Sequence, residues 1–305
     1  MSCLLTVCSP SEGGAAAPAR AWLMGGKMHL YYERQNVQLY LGDCISTLES
    51  LVRERGPFVD LVFADPPYNL SNDGITCIAG RMVSVNKGEW DRSRGAEEDH
   101  EFNLSWLRAC RNALKADGAI WVSGTTHVIH SVGYAMQQLG YRLLADVVWF
   151  KVNPPPNIAC RTFTHAHETL IWAARDRKAR YTFNYREMKA MAGHKQMKAL
   201  WPIISEEELP EWIWAITPPS LHEKRYGKHP TQKPEALLER CITATSRPDQ
   251  LVLDPFCGHG ATGVAAARLG RRFVGIDTEE SYLEVAARRI EVALARSEHE
   301  PANRG

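Results

Sequence analysis

Short apolar runs that stop at an acidic residue recur along the chain, and stretches with helical spacing lie between them. Val37 to Leu41 (VQLYL) stops at Gly42-Asp43, and Asp60 to Ala64 (DLVFA) stops at Asp65. Leu251 to Leu253 runs into Asp254, and Arg272 to Ile276 into Asp277. A helix carrying Trp106, Leu107 and Leu114 leads through an Asp117-Gly118 turn to a strand at Ala119 to Val122. Two more strands are expected near Ala145 to Phe150 and Glu168 to Trp172. Lys233 to Ser246 reads as a helix with Pro234 in its first turn, where a missing N–H costs nothing. Further helices are expected at Ala261 to Leu269, ending at Gly270, and at Ser281 to Ala295. This alternation predicts an α/β fold with a mostly parallel sheet. From about Ala174 to Tyr226 the rhythm breaks into a stretch rich in Lys, Arg, Trp and Pro without a clean period, which reads as an insert.

Composition narrows the picture only slightly. The 305 residues suit one large domain with a smaller appendage, and 45% hydrophobic against 23% charged residues is ordinary for a well-cored globule. A net charge of +1 supplies no argument for a nucleic-acid partner, so any basic face must be local. Eight cysteines stand apart without a C-x-x-C pair, as expected of reduced thiols in a cytoplasmic protein rather than of disulfides or zinc. No apolar stretch approaches the roughly 20 residues needed to span a bilayer. Residues 1–27 lack the basic start and apolar run of a signal peptide; their Gly, Ala, Pro and Ser content predicts a disordered lead-in, and Met28 stands as an alternative initiation residue. Residues 298–305 are expected to fray.

Two features fall where open α/β sheets place their ligands, beyond the carboxyl ends of strands. The first is Asp254-Pro-Phe256-Cys-Gly258-His-Gly260-Ala-Thr-Gly263. Glycines here allow positive φ and close backbone approach, while Asp254 repels phosphate and suits an amino group. The loop is neither a dinucleotide fingerprint nor a P-loop. Asp277, about twenty residues on, is placed to accept ribose hydroxyls. This pair points to a nucleoside ligand carrying an amino acid, or else to a plain structural turn. The second feature is Asp65-Pro66-Pro67-Tyr68. The prolines fix the backbone and supply carbonyls without donors. Asp65 and the Pro66 carbonyl can both accept from an –NH2 group, and Tyr68 offers a stacking face. A lone proline pair would be an ordinary stiff loop; the flanking acid and aromatic weaken that reading.

With Lys228-His-Pro-Thr-Gln-Lys-Pro234, these motifs together resemble the amino-methyltransferases of DNA. The DPPY-type motif precedes the cofactor loop, which is the order of the family's beta class, common in restriction–modification systems. The resemblance spans about Gln35 to Ala295 and includes Trp149-Phe150-Lys151, Asn153-Pro154 and Arg161 to Glu168 (RTFTHAHE). It implies a Rossmann-like, circularly permuted class I methyltransferase fold with one antiparallel strand and an irregular target-recognition insert. The expected division is a catalytic half at 28–175, the insert at 176–226 and an AdoMet-binding half at 227–297. The donor implied is S-adenosylmethionine. Asp254, Phe256, Gly258, Gly260 and Asp277 would hold it, with Asp43 beside its adenine and His229, Thr231 and Lys233 over its methionine end. Asp65, Pro66, Pro67 and Tyr68 would grip the target amine of a flipped base in double-stranded DNA. Trp149 or Phe163 would oppose Tyr68 across the base, and Lys87, Lys151 and Arg161 would face DNA. The reaction requires no metal. Class membership also brings a partner restriction endonuclease, homodimers and action at the prokaryotic nucleoid, none of which the residues themselves address.

Weaker features remain open. Val83 to Asp91 is either a solvated loop or a flap that clamps substrate. Arg175 to Arg186, with five basic residues among aromatics, is expected to contact phosphate if the insert faces the catalytic loop. His165 and His167 share a strand face without a third ligand. Asp in the first motif position leans the target toward adenine N6 over cytosine N4. Rival readings are methylation of RNA, protein or a small molecule, and an inactive nucleic-acid-binding module.

Overall fold

A computed structural model of the chain describes residues 28–71, 75–78, 81–84, 91–151, 161, 163–194, 197, 199–203, 219, 223 and 232–299. The elements run β1 (His29–Arg34), β2 (Val37–Leu41), α1 (Cys44–Arg55), β3 (Val59–Ala64), β4 (Ile75–Ile78), β5 (Arg81–Ser84), α2 (Ala96–Ala113) and β6 (Leu114–Gly124). Then follow α3 (Ile129–Gln138), β7 (Arg142–Lys151), β8 (His167–Ala174), α4 (Tyr185–Met191), β9 (Leu200–Ile203), α5 (Glu235–Thr245), β10 (Leu251–Asp254), α6 (Ala261–Arg268), β11 (Arg272–Asp277) and α7 (Glu280–His299).

Among the described residues, nine strands form one sheet in the order β1-β2-β11-β10-β3-β6-β8-β7-β9, and β4 and β5 pair as a separate hairpin. The central strands are apolar on consecutive positions because both faces are covered. Leu61 and Phe63 of β3 pack with α5, α6 and α7, through Leu238, Val264 and Ile290 among others. Val62 and Ala64 pack on the opposite face with α1, α2 and α3, through Leu48, Trp106 and Val132.

Four features differ from the sequence expectations. One antiparallel strand was expected, and two run antiparallel to their neighbours: β8, inside the sheet, and β1, which forms a hairpin on β2. Leu114 opens β6 instead of closing α2, and Lys115 to Gly118 bulge out between the register pairs Val59–Leu114 and Leu61–Ala119, so the predicted turn lies inside a strand. The insert, read as partly irregular and without a strand of the main sheet, contributes β9, which extends that sheet in parallel with β7. The basic run from Arg175 lies at the wrong end of the sheet for the catalytic loop. Arg175 N–H donates to the Gly118 carbonyl and Arg180 N–H to Asp117, at the start of β6, while Tyr181 and Phe183 pack on Trp172. These aromatics serve the core, which explains their place among the charges.

Candidate active site

The crossovers from β3 through α2 and from β10 through α6 depart in opposite directions, which opens a crevice at the carboxyl ends of β3 and β10. A cavity of about 780 Å³ occupies it, lined by residues that include Asp43, Asp65, Tyr68, Lys233, Asp254, Phe256, Gly258 and Asp277. That volume is within the ordinary range for nucleotide-sized ligands, roughly 300–1,000 Å³. The two loops, far apart in the chain, share one chamber.

At the β10 end, Asp254 is buried. Its Oδ1 accepts from Phe256 N–H at 3.0 Å and its Oδ2 from the Thr262 hydroxyl at 2.5 Å. Burial pushes its carboxyl up to about 7, against the pull of these two donors. A buried carboxylate short of positive charge is what an arriving ammonium would relieve. Burial likewise raises Asp277, whose Oδ2 accepts from Gly258 N–H at 2.7 Å and Oδ1 from Glu279 N–H at 2.9 Å. Asp43 caps α1, accepting from Ser46 N–H at 2.9 Å while facing the cavity. Phe256 stands edge-on to Trp106 at 5.3 Å. The donor set thus fits a nucleoside with a cationic amino-acid tail: acids for hydroxyls and ammonium, an aromatic wall, and no phosphate cradle.

The glycines divide the labour. Gly258 (φ 49°) lines the cavity. Gly260 (φ 70°) does not; a Cβ there would lie 2.7 Å from the Ala286 Cβ, so it serves the packing of α6 on α7 rather than ligand approach.

At the β3 end a buried polar cluster forms around Asp65. Its Oδ1 accepts from the Tyr68 hydroxyl at 2.6 Å and from Ser123 Oγ at 2.7 Å, and its Oδ2 from Lys233 Nζ at 2.6 Å. Glu168 Oε2 lies 3.5 Å from the same Nζ and 3.1 Å from the Tyr68 hydroxyl, while Lys151 pairs with Glu168 Oε1. Although burial alone pushes Glu168 up, the two lysines, Lys233 foremost, draw it down to about 2. Lys233 loses by burial but gains more from Asp65 and Glu168, so its ammonium is held above the ordinary lysine value. Burial and then Asp65 keep the Tyr68 phenol neutral. Two carboxylates therefore face two ammoniums, which makes the burial of Glu168 and Lys233 tolerable.

Lys233 was expected over the methionine end of the donor; it lines the cavity, and its ammonium sits on Asp65. The reason is electrostatic, since two buried carboxylates lie within its reach. Tyr68 presents no open ring: it is 4% exposed, with Lys233 Nζ 5.0 Å from its centroid. Trp149 is also buried, with Lys151 Nζ 5.1 Å from its ring, so no face is open for stacking there. Phe163 is 97% exposed and Arg161 is exposed. His229, Thr231 and Lys87 lie outside the described residues. No cluster of three or more metal-ligating side chains occurs among the described residues.

Sequence reasoning missed Ser123, Glu168 and Asp91. The first two were visible as polar residues within apolar strands. Asp91 is fully buried and accepts from Tyr68 N–H at 2.8 Å, Asn69 N–H at 2.9 Å, Leu70 N–H at 3.1 Å and Ser71 Oγ at 3.0 Å, fixing the exit of the catalytic loop. One element ties both ends of the site together. Lys233, just before α5, holds Asp65; Glu235 at its start accepts from Arg289 Nη2 at 2.7 Å, and Arg289 Nη1 donates to the His259 carbonyl of the glycine loop at 2.7 Å.

Comparison with known proteins supplies the family. The model of the N6/N4 DNA methylases, described as DNA methylase, matches residues 59–288. The chain belongs to that family. This methylase is 46% identical over 261 residues to the Type II methyltransferase M2.LlaDCHI of Lactococcus lactis subsp. cremoris, covering 85% of this chain and 91% of that one. It is 45% identical over 262 residues to the Type II methyltransferase M2.DpnII of Streptococcus pneumoniae, covering 86% and 92%. Among solved structures it resembles the M1.HpyAVI–SAM complex (TM-score 0.60, 24% identity, 83% of this chain and 98% of that one). It also resembles the cytosine-N4-specific PvuII DNA methyltransferase (TM-score 0.61, 22% identity, 88% and 94%). The methylase is thus a DNA amino-methyltransferase of restriction–modification type that uses S-adenosylmethionine. Among the described residues, no helix is long and apolar enough to cross a membrane.

Proposed function

We propose that the methylase modifies the N6 amine of an adenine flipped out of double-stranded DNA, with Asp65 and the Pro66 carbonyl accepting the two N–H groups. The observation that carries this reading is the shared chamber: Asp65, Pro66, Asp254, Gly258 and Asp277 all line one cavity. Asp254 and Asp277 take the ammonium and ribose ends of the donor, with Asp43 and Phe256 along its nucleoside. His229 and Thr231 belong to the motif that covers the donor. Bound there, S-adenosylmethionine supplies an electrophilic methyl on a sulfonium.

A base amine is a weak nucleophile because its lone pair is delocalised into the ring. Hydrogen bonds from both N–H groups favour a pyramidal nitrogen, and the Asp65 carboxylate stabilises the charge that develops as the N–C bond forms. Pro66 and Pro67 hold these acceptors rigid, aided by the Asp91 carboxylate behind the loop. In-line alignment supplies the rest, up to roughly 7–11 kcal/mol. Once the bond has formed the cationic nitrogen passes its proton to the Asp65 carboxylate that accepts its N–H, and from there to solvent, so Asp65 need not act as a base beforehand.

Adenine is favoured over cytosine by the Asp in the first motif position. Target recognition falls to the part of residues 176–226 beyond the run that packs on Trp172, and Lys151, Arg161, the exposed Phe163 and the motif residue Lys87 are the DNA contacts this reading assigns. Action in a bacterial cytoplasm beside a partner endonuclease, as a monomer or homodimer, accords with the kind of relatives the chain has. Transfer of labelled methyl from S-adenosylmethionine to duplex DNA, followed by long-read sequencing, tests the reading. N6-methyladenine at one short site supports it; N4-methylcytosine overturns the base assignment, and no transfer overturns the function.

A further inference from the structure

Asp65 is not ready to receive a base. Its Oδ1 already has two hydroxyl donors, and its Oδ2 holds the Lys233 ammonium at 2.6 Å. That same ammonium stands 5.0 Å from the centroid of the Tyr68 ring. One cation therefore covers both surfaces that a base needs here, an acceptor for its amine and an aromatic face. It also cannot stay. Methyl transfer moves positive charge onto the target nitrogen, and an ammonium on the same carboxylate oxygen would oppose that charge at close range.

The structure offers a second seat. Glu168 Oε2 lies 3.5 Å from Lys233 Nζ and is itself buried within the cluster. Lys151 stays on Glu168 Oε1, so Glu168 can take both ammoniums while Asp65 is released. Charge remains matched throughout: before base entry each carboxylate has a lysine, and afterwards Asp65 faces the nitrogen that turns cationic.

We propose that Lys233 is a placeholder for the target amine, exchanging from Asp65 to Glu168 when the base enters, and that Glu168 is a positioning residue acting through it. The inference rests on the assignment of Asp65 to the target amine. The placeholder keeps Asp65 preorganised in the empty enzyme, and it makes base capture a trade of one hydrogen-bond donor for another. The Tyr68 face is uncovered in the same movement.

The exchange is tested by comparing the affinity of full-length enzyme for two duplexes, one with adenine at the methylated position and one abasic there, both with a non-reactive donor analogue. The abasic duplex requires no exchange, so the ratio of the two affinities isolates it. Glu168→Gln, which strands Lys233 on Asp65, is expected to lower the adenine preference about tenfold, the scale of one hydrogen bond to a charged group. Lys233→Met, which empties the seat, raises it, and Lys233→Met combined with Glu168→Gln restores the preference that Glu168→Gln alone lost. A merely structural Glu168 would give additive losses and an unchanged ratio, which overturns the proposal. Melting and donor-binding curves identify variants that fail to fold. In that event a structure of the wild-type ternary complex decides: Lys233 Nζ on Glu168 with adenine on Asp65 sustains the exchange, and Lys233 still on Asp65 overturns it. If the wild-type enzyme methylates DNA and the ratio does not move, this inference alone falls; if it transfers no methyl group, the function falls with it.

Discussion

Asp65 and Asp254 begin from nearly the same sequence and end in opposite electrostatic states. Each closes one of two neighbouring parallel strands, β3 and β10, and each is followed by proline and then an aromatic, Pro66-Pro67-Tyr68 in one case and Pro255-Phe256 in the other. Asp65 is paired with a buried ammonium and two hydroxyls. Asp254 has a backbone N–H and one hydroxyl, no salt-bridge partner among the described residues, and a carboxyl that burial pushes up to about 7. The difference tells which ligand each awaits. On the proposed assignments, Asp254 gains a cation from the donor's ammonium, and Asp65 exchanges the cation it holds for a neutral amine.

The largest effect expected from this contrast is on turnover. Asp65→Ala should slow single-turnover methylation by at least roughly 10²–10³-fold, the loss typical of one acceptor or donor made for the transition state. Calorimetry should show the donor's affinity little altered, because among the described residues neither Asp254 nor Asp277 is hydrogen-bonded to Asp65. An active Asp65→Ala enzyme removes that carboxylate from the chemistry.

The bridge between the two acids comes next. Glu235→Ala leaves Arg289 buried without its carboxylate, and breaking such a pair costs about 3–5 kcal/mol. Denaturant melts should register that loss; stability within about 1 kcal/mol of wild type would mean that His259 and the remaining contacts suffice for Arg289.

Asp254→Ala should spare the geometry around Asp65 and weaken donor binding roughly 10- to 150-fold, the range for a hydrogen bond to a charged group. Equal affinity by calorimetry would return Asp254 to a purely structural role.

The smallest effect is a pH dependence of donor binding that originates at Asp254. A cationic donor favours the ionised carboxylate, and in the free protein that group ionises near 7. Below 7 binding must expel a proton, so donor affinity should fall roughly tenfold between pH 8 and pH 6. The sign for the free fold agrees. Between about 4 and 7 the folded state holds a proton that the unfolded state has released, so this group lowers stability as pH rises and bound donor restores it. A flat affinity profile that becomes no flatter in Asp254→Ala would contradict the assignment.

Much of this was legible in the chain because strand ends carry local signals. Apolar runs stopping at Asp43, Asp65, Asp254 and Asp277 marked four neighbouring strands of the sheet, and the carboxyl-end rule placed their acids together. The cluster around Asp65 was less legible because it is assembled across long separations. Glu168 reaches Tyr68 across 100 residues and Lys233 reaches Asp65 across 168, on strands whose order the sequence does not declare. Lys233 was read by its motif as a donor contact, and only the neighbouring carboxylates reveal where its charge goes. The misplaced basic run has a similar cause. Charge spacing from Arg175 to Arg186 says nothing about which end of a strand it leaves, and the antiparallel direction of β8 carries it away from the cavity. Gly260 shows the same limit, since its missing Cβ answers to Ala286 on a helix that follows later in the chain.

The shared chamber can be tested with a bisubstrate inhibitor, the donor nucleoside joined through a one-carbon bridge to adenine N6. The account predicts inhibition competitive with both S-adenosylmethionine and duplex DNA, weakened separately by Asp65→Ala and by Asp254→Ala. Competition with S-adenosylmethionine alone, at an affinity that Asp65→Ala leaves untouched, would contradict it.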